Sequence, residues 1–138
     1  VLHVEDNPHD ILLTKMMLEK LDHLELNIAT VNNGAEALKF LENREGPPID
    51  LIFLDINMPV MDGFEFLQRV KKEERFAQIP VIVCSTSSDE GDKRSAERLG
   101  AKGYITKPIR LSNLEPTIQP IDSVKLSREN EHVRLIAR

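Results

Sequence analysis

The sequence contains one cysteine and no clustered histidines, and this scarcity excludes two common kinds of small domain. A single thiol cannot form an internal disulfide, and Cys84 lies inside an apolar run at residues 81–84. We therefore expect a buried thiol in a reducing compartment. The four histidines lack the spacing of a zinc site.

Long apolar runs and an excess of basic residues are also missing. No apolar run approaches the ~20 residues of a membrane-spanning helix, and no basic leader precedes an apolar core. The 18 lysines and arginines are scattered and are outnumbered by 23 acidic residues, which argues against nucleic-acid binding. A chain of 138 residues with 41% hydrophobic content fits one compact cytoplasmic domain. It begins with Val1, inside a predicted strand, so we expect a fragment without its first few residues.

Five short apolar runs alternate with helical patterns along the chain. The runs predict strands at residues 1–4, 26–31, 51–54, 81–85 and 104–106. Asn7, Pro8 and Asp10 predict the start of a first helix, as a cap, a first helical residue and an acid at the positive end of the helix dipole. Its apolar face should run through Leu12, Leu13, Met16, Met17 and Leu21. Asn32-Asn33-Gly34 should turn into a second helix that carries Ala37, Leu38 and Leu41. Asp62-Gly63 should precede a third helix that buries Phe64, Leu67 and Val70. This alternation predicts a parallel sheet with helices on both faces, and it leaves the strand order open.

The charged run at residues 71–75 and the C-terminal residues 122–138 are interpreted as structural segments without a functional site. The charged run at residues 71–75 predicts a solvated helix end. We place the main domain at residues 1–121. The remainder, residues 122–138, is expected to be an irregular or helical tail with an apolar face through Leu126, Val133 and Ile136.

Acidic residues, a hydroxyl and a lysine occur where predicted strands end. Glu5 and Asp6 follow the first strand and Asp55 follows the third, while Ser85 ends the fourth and Lys107 comes just after the fifth. The carboxyl ends of parallel strands lie at one edge of a sheet, where ligands bind. We therefore expect these side chains to meet in one small volume.

The chemistry of this group favours a magnesium ion and a phosphoryl group. Three carboxylates, those of Glu5, Asp6 and Asp55, crowd unfavourably unless a cation lies among them. Oxygen ligands suit Mg²⁺, which keeps several waters and accepts phosphate oxygens. A carboxylate can attack phosphorus, and Lys107 and Ser85 can then hold phosphoryl oxygens. Taken separately, the same residues are typical of helix caps, polar loops and surface lysines.

These residues resemble the receiver domain of two-component response regulators over residues 1 to about 114. The resemblance rests on four motifs: Val4-Glu5-Asp6-Asn7, Leu54-Asp55-Ile56-Asn57-Met58-Pro59 with Asp62-Gly63, Pro80-Val81-Ile82-Val83-Cys84-Ser85, and Gly103-Tyr104-Ile105-Thr106-Lys107-Pro108. It implies an α/β, flavodoxin-like (CheY-like) three-layer sandwich whose five-stranded parallel sheet has the order 2-1-3-4-5.

The resemblance also implies a role for each site residue. Asp55 would accept a phosphoryl group from a sensor histidine kinase. Asp6, Asp55 and the Asn57 carbonyl would bind Mg²⁺, with Glu5 acting through water. Ser85 and Lys107 would hold the phosphoryl group, and Tyr104 would turn inward as Ser85 moves.

Within the family, the segment from Glu5 to Asp10 is similar to stand-alone regulators of bacterial phytochromes, so a phytochrome-type kinase is the narrower expectation. Thr86 replaces a smaller residue of the family and is expected to narrow access to the phosphoryl group. Pro116 and Pro120 fall in the predicted fifth helix, which leaves a monomer and a phosphorylation-dependent homodimer both open. The downstream protein partner is not indicated.

Two other functions remain as alternatives. An aspartate-based phosphohydrolase would carry a second acid two residues after its nucleophile, whereas this chain has Asn57 there. A receiver-like scaffold that works without phosphorylation would be expected to lack Asp55, Asp6 or Lys107, and all three are present.

Overall fold

A computed structural model describes residues 1–19, 29–43, 49–56, 61–121, 124–129 and 132–137. Its main sheet contains five strands: β1 (Leu2–Val4), β2 (Ala29–Val31), β3 (Ile52–Leu54), β4 (Val81–Ser85) and β5 (Gly103–Thr106). The strands lie in the order β2-β1-β3-β4-β5, and every neighbouring pair is parallel. The predicted flavodoxin-like order is therefore confirmed.

Five helices cover the two faces of this sheet: α1 (Pro8–Glu19), α2 (Gly34–Glu42), α3 (Gly63–Lys72), α4 (Glu90–Arg98) and α5 (Leu111–Ile118). Successive strand residues point to opposite faces, and this divides the core into two clusters. Leu2, Ile52 and Val81 pack with buried residues of α2, α3 and α4. Phe53 and Ile82 pack on the other face with buried residues of α5 and with Met17 of α1.

Short polar side chains fix where three of the helices begin. The Asn7 Oδ1 accepts a hydrogen bond from the His9 amide at 2.9 Å. Asn33 and Asp62 cap α2 and α3 in the same way, each accepting from a backbone amide three residues later. These caps satisfy amides that have no partner inside the helix, which explains why the predicted starts agree with the structure.

The apolar face predicted for α1 is wrong for three of its residues and confirmed for Met17, which packs against the core. Leu12, Leu13 and Met16 are 55%, 42% and 50% exposed, respectively. The helix instead turns Thr14 into the protein, with Met17 half-buried three residues later. A polar residue thus lies on the inner face of the helix, and the hydrophobic pattern could not reveal it. Leu21 lies outside the described residues.

The buried face of α3 needs a smaller correction. Leu67 and Val70 are fully buried, as predicted, but Phe64 is only half-buried and Phe66 is fully buried in its place. At the end of the same helix, Lys71 is half-buried. Its ammonium donates to the carbonyls of Ala77 and Ile79, at 3.1 and 2.8 Å. The charged run is therefore not wholly solvated.

The expected irregular or helical tail is also wrong. The structure has two antiparallel strands there, β6 (Val124–Glu129) and β7 (His132–Ala137), paired with Leu126 opposite Leu135. Apolar residues lie two positions apart at Val124 and Leu126 and again at Val133, Leu135 and Ala137, a strand period that competes with the helical spacing. Pro116 lies inside the eight-residue α5, and Pro120 follows its end, as a helix-stopping proline should.

Within the part of the chain that the structure describes, no helix combines the length and apolarity needed to cross a bilayer.

Replacing Gly63 by alanine tests how tightly α3 packs beside Asp55. A Cβ at Gly63 would collide with the backbone of Asp55 and Ile56. We expect Gly63→Ala to lower the free energy of unfolding by about 1–3 kcal/mol, the usual cost of overpacking, as measured by denaturant titration.

The matched control is Gly91→Ala in the first turn of α4. There the nearest atom is the Asp89 Oδ1 at 3.3 Å, on an exposed side chain that can shift. Equal stability losses in the two variants would contradict the close approach at Gly63.

Candidate functional site

The carboxyl edge of the sheet brings together the side chains predicted from the strand ends. Hydrogen bonds between neighbouring strands continue the sheet into the site: the Glu5 amide donates to the Val31 carbonyl and the Asp55 amide to the Val4 carbonyl, both at 3.0 Å. The Lys107 amide donates to the Ser85 carbonyl at 2.7 Å. The backbone therefore holds each of these residues at a fixed place along the edge.

Three acids form one cluster at this edge. One carboxylate oxygen from each of Glu5, Asp6 and Asp55 lies within 4.8 Å of the others. Glu5 and Asp55 are buried, at 1% and 5% exposure, and Asp6 is more open to solvent. Asn57, the fourth predicted ligand, lies outside the described residues.

Lys107 supplies the positive charge beside this cluster. Its ammonium donates to the Glu5 Oε1 at 2.5 Å and to the Asp10 Oδ2 at 2.8 Å, and it lies 3.6 Å from the Asp55 Oδ1. Asp10 was predicted only as a helix-start residue. Its place in the first turn of α1, one turn after the Glu5-Asp6 pair, was the signal that could have identified it.

Burial and crowding change how these groups titrate. Burial raises the pKa of Glu5 to about 7; the hydrogen bond from Lys107 opposes this rise, and neighbouring Asp55 adds to it. Burial by itself would lower the pKa of Lys107, but the Asp10 and Glu5 carboxylates outweigh it and raise that pKa. The site therefore carries a firm positive charge next to an acid that gains or loses its proton near neutral pH.

Two further titratable groups lie beneath the site and remain neutral. His3 is buried, and burial followed by the charge of Lys107 lowers its pKa to about 4. His3 is therefore a neutral residue of the core. Cys84 is fully buried, which raises the pKa of its thiol and makes the reactive thiolate inaccessible.

The loop after β4 links Ser85 to Tyr104 through Ser87. The buried Ser85 Oγ accepts a hydrogen bond from the Ser87 amide at 3.1 Å. The Tyr104 hydroxyl donates to the Ser87 carbonyl at 2.8 Å. The Ser87 hydroxyl in turn donates to the Asp92 Oδ2 of α4 at 2.7 Å. Nothing in the sequence indicates that Ser87, rather than a direct contact, connects the two predicted residues.

An open pocket of about 430 Å³ lies over Asp55. Its lining combines the acids, the Lys107 ammonium and the exposed Thr86. Clustered carboxylate oxygens with space for water suit a hard divalent cation, and the adjoining ammonium suits an anion. The residues present therefore fit a bound Mg²⁺ and a phosphoryl group together.

Comparison with known proteins agrees with this geometry. The family model of the response regulator receiver domain matches residues 1–119. Response regulator Rcp1 of Synechocystis is 32% identical over 127 residues, covering 89% of this chain and 86% of Rcp1. A structure of Mn²⁺-bound Rcp1 has a TM-score of 0.65 at 31% identity and covers 88% of this chain and 90% of that one.

Two phytochrome response regulators are also similar in structure. The bacteriophytochrome response regulator RtBRR has a TM-score of 0.78 at 31% identity, covering 94% of this chain and 81% of its own. The phosphorylated cyanobacterial phytochrome response regulator RcpA has a TM-score of 0.71 at 36% identity, covering 88% and 89%.

The fold and the site define a phosphoacceptor signalling module of two-component phosphorelays rather than an enzyme that turns over a separate substrate. The chain belongs to the response regulator receiver domain family.

Binding of a divalent cation should depend on pH through Glu5. Its pKa near 7 means that the proton competes with the cation below that value. We expect the affinity for Mg²⁺, measured by calorimetry, to rise about tenfold from about pH 6 to about pH 8. Glu5→Gln should remove most of this pH dependence. An equal change of Mg²⁺ affinity with pH in the wild type and in Glu5→Gln would assign the titration to another group.

The stability of the metal-free protein should change in the opposite direction. Because the folded state raises the pKa of Glu5 above its ordinary value of 4.5, folding favours the protonated acid. The contribution of Glu5 is therefore fully present below about pH 4.5 and is lost as the pH rises through about 7.

Proposed function

We propose that Asp55 accepts a phosphoryl group from the phosphohistidine of a sensor histidine kinase. The observation that carries this proposal is the arrangement around Asp55: a buried carboxylate next to two further acids, with the Lys107 ammonium 3.6 Å away. In the reaction, an Asp55 oxygen forms a bond to phosphorus while the bond from phosphorus to the histidine nitrogen breaks. The products are an aspartyl phosphate and a free histidine.

The cluster of acids fits Mg²⁺ as the cofactor. Asp6 and Asp55 would hold the ion directly and Glu5 through water, with the Asn57 carbonyl as a further ligand. When bound, Mg²⁺ neutralises charge on the phosphoryl oxygens. The support for this ligand set is the spacing of the three carboxylates within 4.8 Å.

Lys107 and Ser85 would hold the transferred group. The ammonium of Lys107 is firmly charged and is fixed beside Asp55, so it can bind a phosphoryl oxygen as an ion pair. The Ser85 hydroxyl ends the neighbouring strand and can donate to a second oxygen. Phosphoryl transfer needs this positioning and neutralisation more than covalent help from the protein.

The signal would leave the site through the β4–α4 loop. If Ser85 turns toward the phosphoryl group, the Ser87 amide loses its acceptor, and the Ser87 backbone also holds the Tyr104 hydroxyl. A change at Ser85 therefore reaches both Tyr104 and α4. The resulting change in the surface formed mainly by α4, β5 and α5 would alter the binding of a downstream protein.

The similarity to phytochrome response regulators supports a phytochrome-type kinase as the phosphoryl donor. Cys84 is a free thiol, which is consistent with the cytoplasm, where such kinases and regulators meet. Thr86 lines the pocket and is placed to narrow access to the aspartyl phosphate. The proposal includes two alternatives for the oligomeric state of the phosphorylated protein, a monomer and a phosphorylation-dependent homodimer.

Labelling with a small phosphodonor tests the acceptor directly. With Mg²⁺ and acetyl phosphate, we expect intact-mass spectrometry to show one added phosphoryl group on the wild-type protein. Asp55→Asn should show none, because the amide oxygen is a poor nucleophile.

Asp50→Asn is the matched control, because Asp50 precedes β3 whereas Asp55 follows it. It should label like the wild type. Equal labelling of Asp55→Asn would contradict the proposal, and continuous release of phosphate from unrelated esters would favour the phosphohydrolase. Partner binding that ignores both Mg²⁺ and Asp55→Ala would favour the scaffold.

Tyrosine fluorescence tests the switch. The sequence has one tyrosine and no tryptophan, so this emission reports Tyr104 alone. Phosphorylation should change the emission because it alters the hydrogen bond to Ser87. Ser85→Ala should still accept a phosphoryl group but lose most of the emission change. An unaltered response in Ser85→Ala would show that Tyr104 senses phosphorylation by another route.

A further inference from the structure

Two other carboxylates lie closer to the Lys107 ammonium than that of Asp55, the proposed phosphoacceptor, does. Glu5 and Asp10 lie at hydrogen-bond distance, 2.5 and 2.8 Å, whereas the Asp55 Oδ1 lies at 3.6 Å. An ammonium has three protons to donate, and these two acids take two of them. In this structure Lys107 is therefore oriented mainly by Glu5 and Asp10.

The two acids differ in their exposure to solvent. The Glu5 side chain is 1% exposed, while that of Asp10 is 21% exposed. Asp10 and Lys107 line the pocket over Asp55, and both also line a second pocket of about 300 Å³ on its α1 side. Their ion pair thus lies between the acceptor site and a neighbouring opening. Water reaches Asp10 there, so its carboxylate can be rehydrated when the pair separates.

We propose that Asp10 is a positioning residue that holds Lys107 back from Asp55 and competes with the phosphoryl group for the ammonium. This inference rests on the proposed function of Asp55. A phosphoryl group adds negative charge at Asp55 and draws Lys107 toward it. Asp10 is the partner to be released, because leaving Glu5 unpaired would cost the desolvation of a buried charge.

The inference predicts that loss of the Asp10 charge strengthens binding at Asp55. Asp10→Asn keeps the shape and one carbonyl acceptor but releases the hold on Lys107. We expect beryllium trifluoride, a tetrahedral mimic of the phosphoryl group, to bind this variant about tenfold more tightly in the presence of Mg²⁺. Affinity for Mg²⁺ alone should not increase, because Asp10 is not in the ligand cluster. Tyr104 fluorescence follows the first titration and calorimetry the second.

A double-mutant cycle separates positioning from simple repulsion between charges. If Asp10 acts through Lys107, Asp10→Asn will leave beryllium trifluoride affinity unchanged in a Lys107→Met background. A tenfold gain that persists without Lys107 would show that Asp10 only repels the anion, and it would overturn the inference. Asp10→Glu, made with Lys107 in place, retains the charge and should keep the wild-type affinity for beryllium trifluoride. This comparison does not require that the Lys107→Met protein bind the probe.

Glu90→Gln is the matched control, because it removes a first-turn acid of α4 that lies 3.5 Å from Lys93. It should leave the affinity for beryllium trifluoride unchanged. Wild-type protein that binds no beryllium trifluoride and accepts no phosphoryl group would refute the function proposed for Asp55. Wild-type binding that is unaffected by Asp10→Asn would refute only the role of Asp10.

Discussion

The carboxyl edge of this sheet depends on one set of ion pairs, in which the ammonium of Lys107 is surrounded by carboxylates from three separate elements. Glu5 and Asp10 are 102 and 97 residues away in sequence, yet both accept hydrogen bonds from the same nitrogen. Buried carboxylates repel one another, and the penalty for leaving them unpaired is high. One cation cannot neutralise four acids, so the edge keeps an excess of negative charge. That excess of negative charge favours the binding of a divalent cation at this edge.

Much of this edge could be predicted from the sequence, because the relevant residues stand at element boundaries. Strand ends are marked by the change from apolar to polar residues, and parallel strands bring those ends together without further information. Asn7 and Asp62 marked helix starts for a local reason, a side chain satisfying a nearby amide. The positions of Glu5, Asp55 and Ser85 follow from such boundaries. The order of the strands came only from the resemblance to receivers.

What could not be predicted depends on contacts between elements. On α1, Thr14 is buried, although it is a polar residue that no hydrophobic pattern would select. Asp10 meets Lys107 only because the first turn of α1 lies beside the residue that follows β5, and Ser87 joins Ser85 to Tyr104 only through the shape of a loop. In the tail, strand and helical periods both fit the same apolar residues, and pairing between β6 and β7 decided the outcome. These are facts of tertiary structure that local sequence does not encode.

The opposite edge of the sheet has a different character, shown by Lys71. Its ammonium ties the carbonyls of Ala77 and Ile79 to the end of α3, and burial lowers its pKa. The contact closes a connection between a helix and the next strand and has no part in phosphoryl chemistry. The connection between α3 and β4 therefore contributes to folding and not to the reaction. We therefore expect the connection after α3 to tolerate changes of length and sequence as long as the chain still folds, whereas the connections over Asp55 must also keep the reacting groups in place.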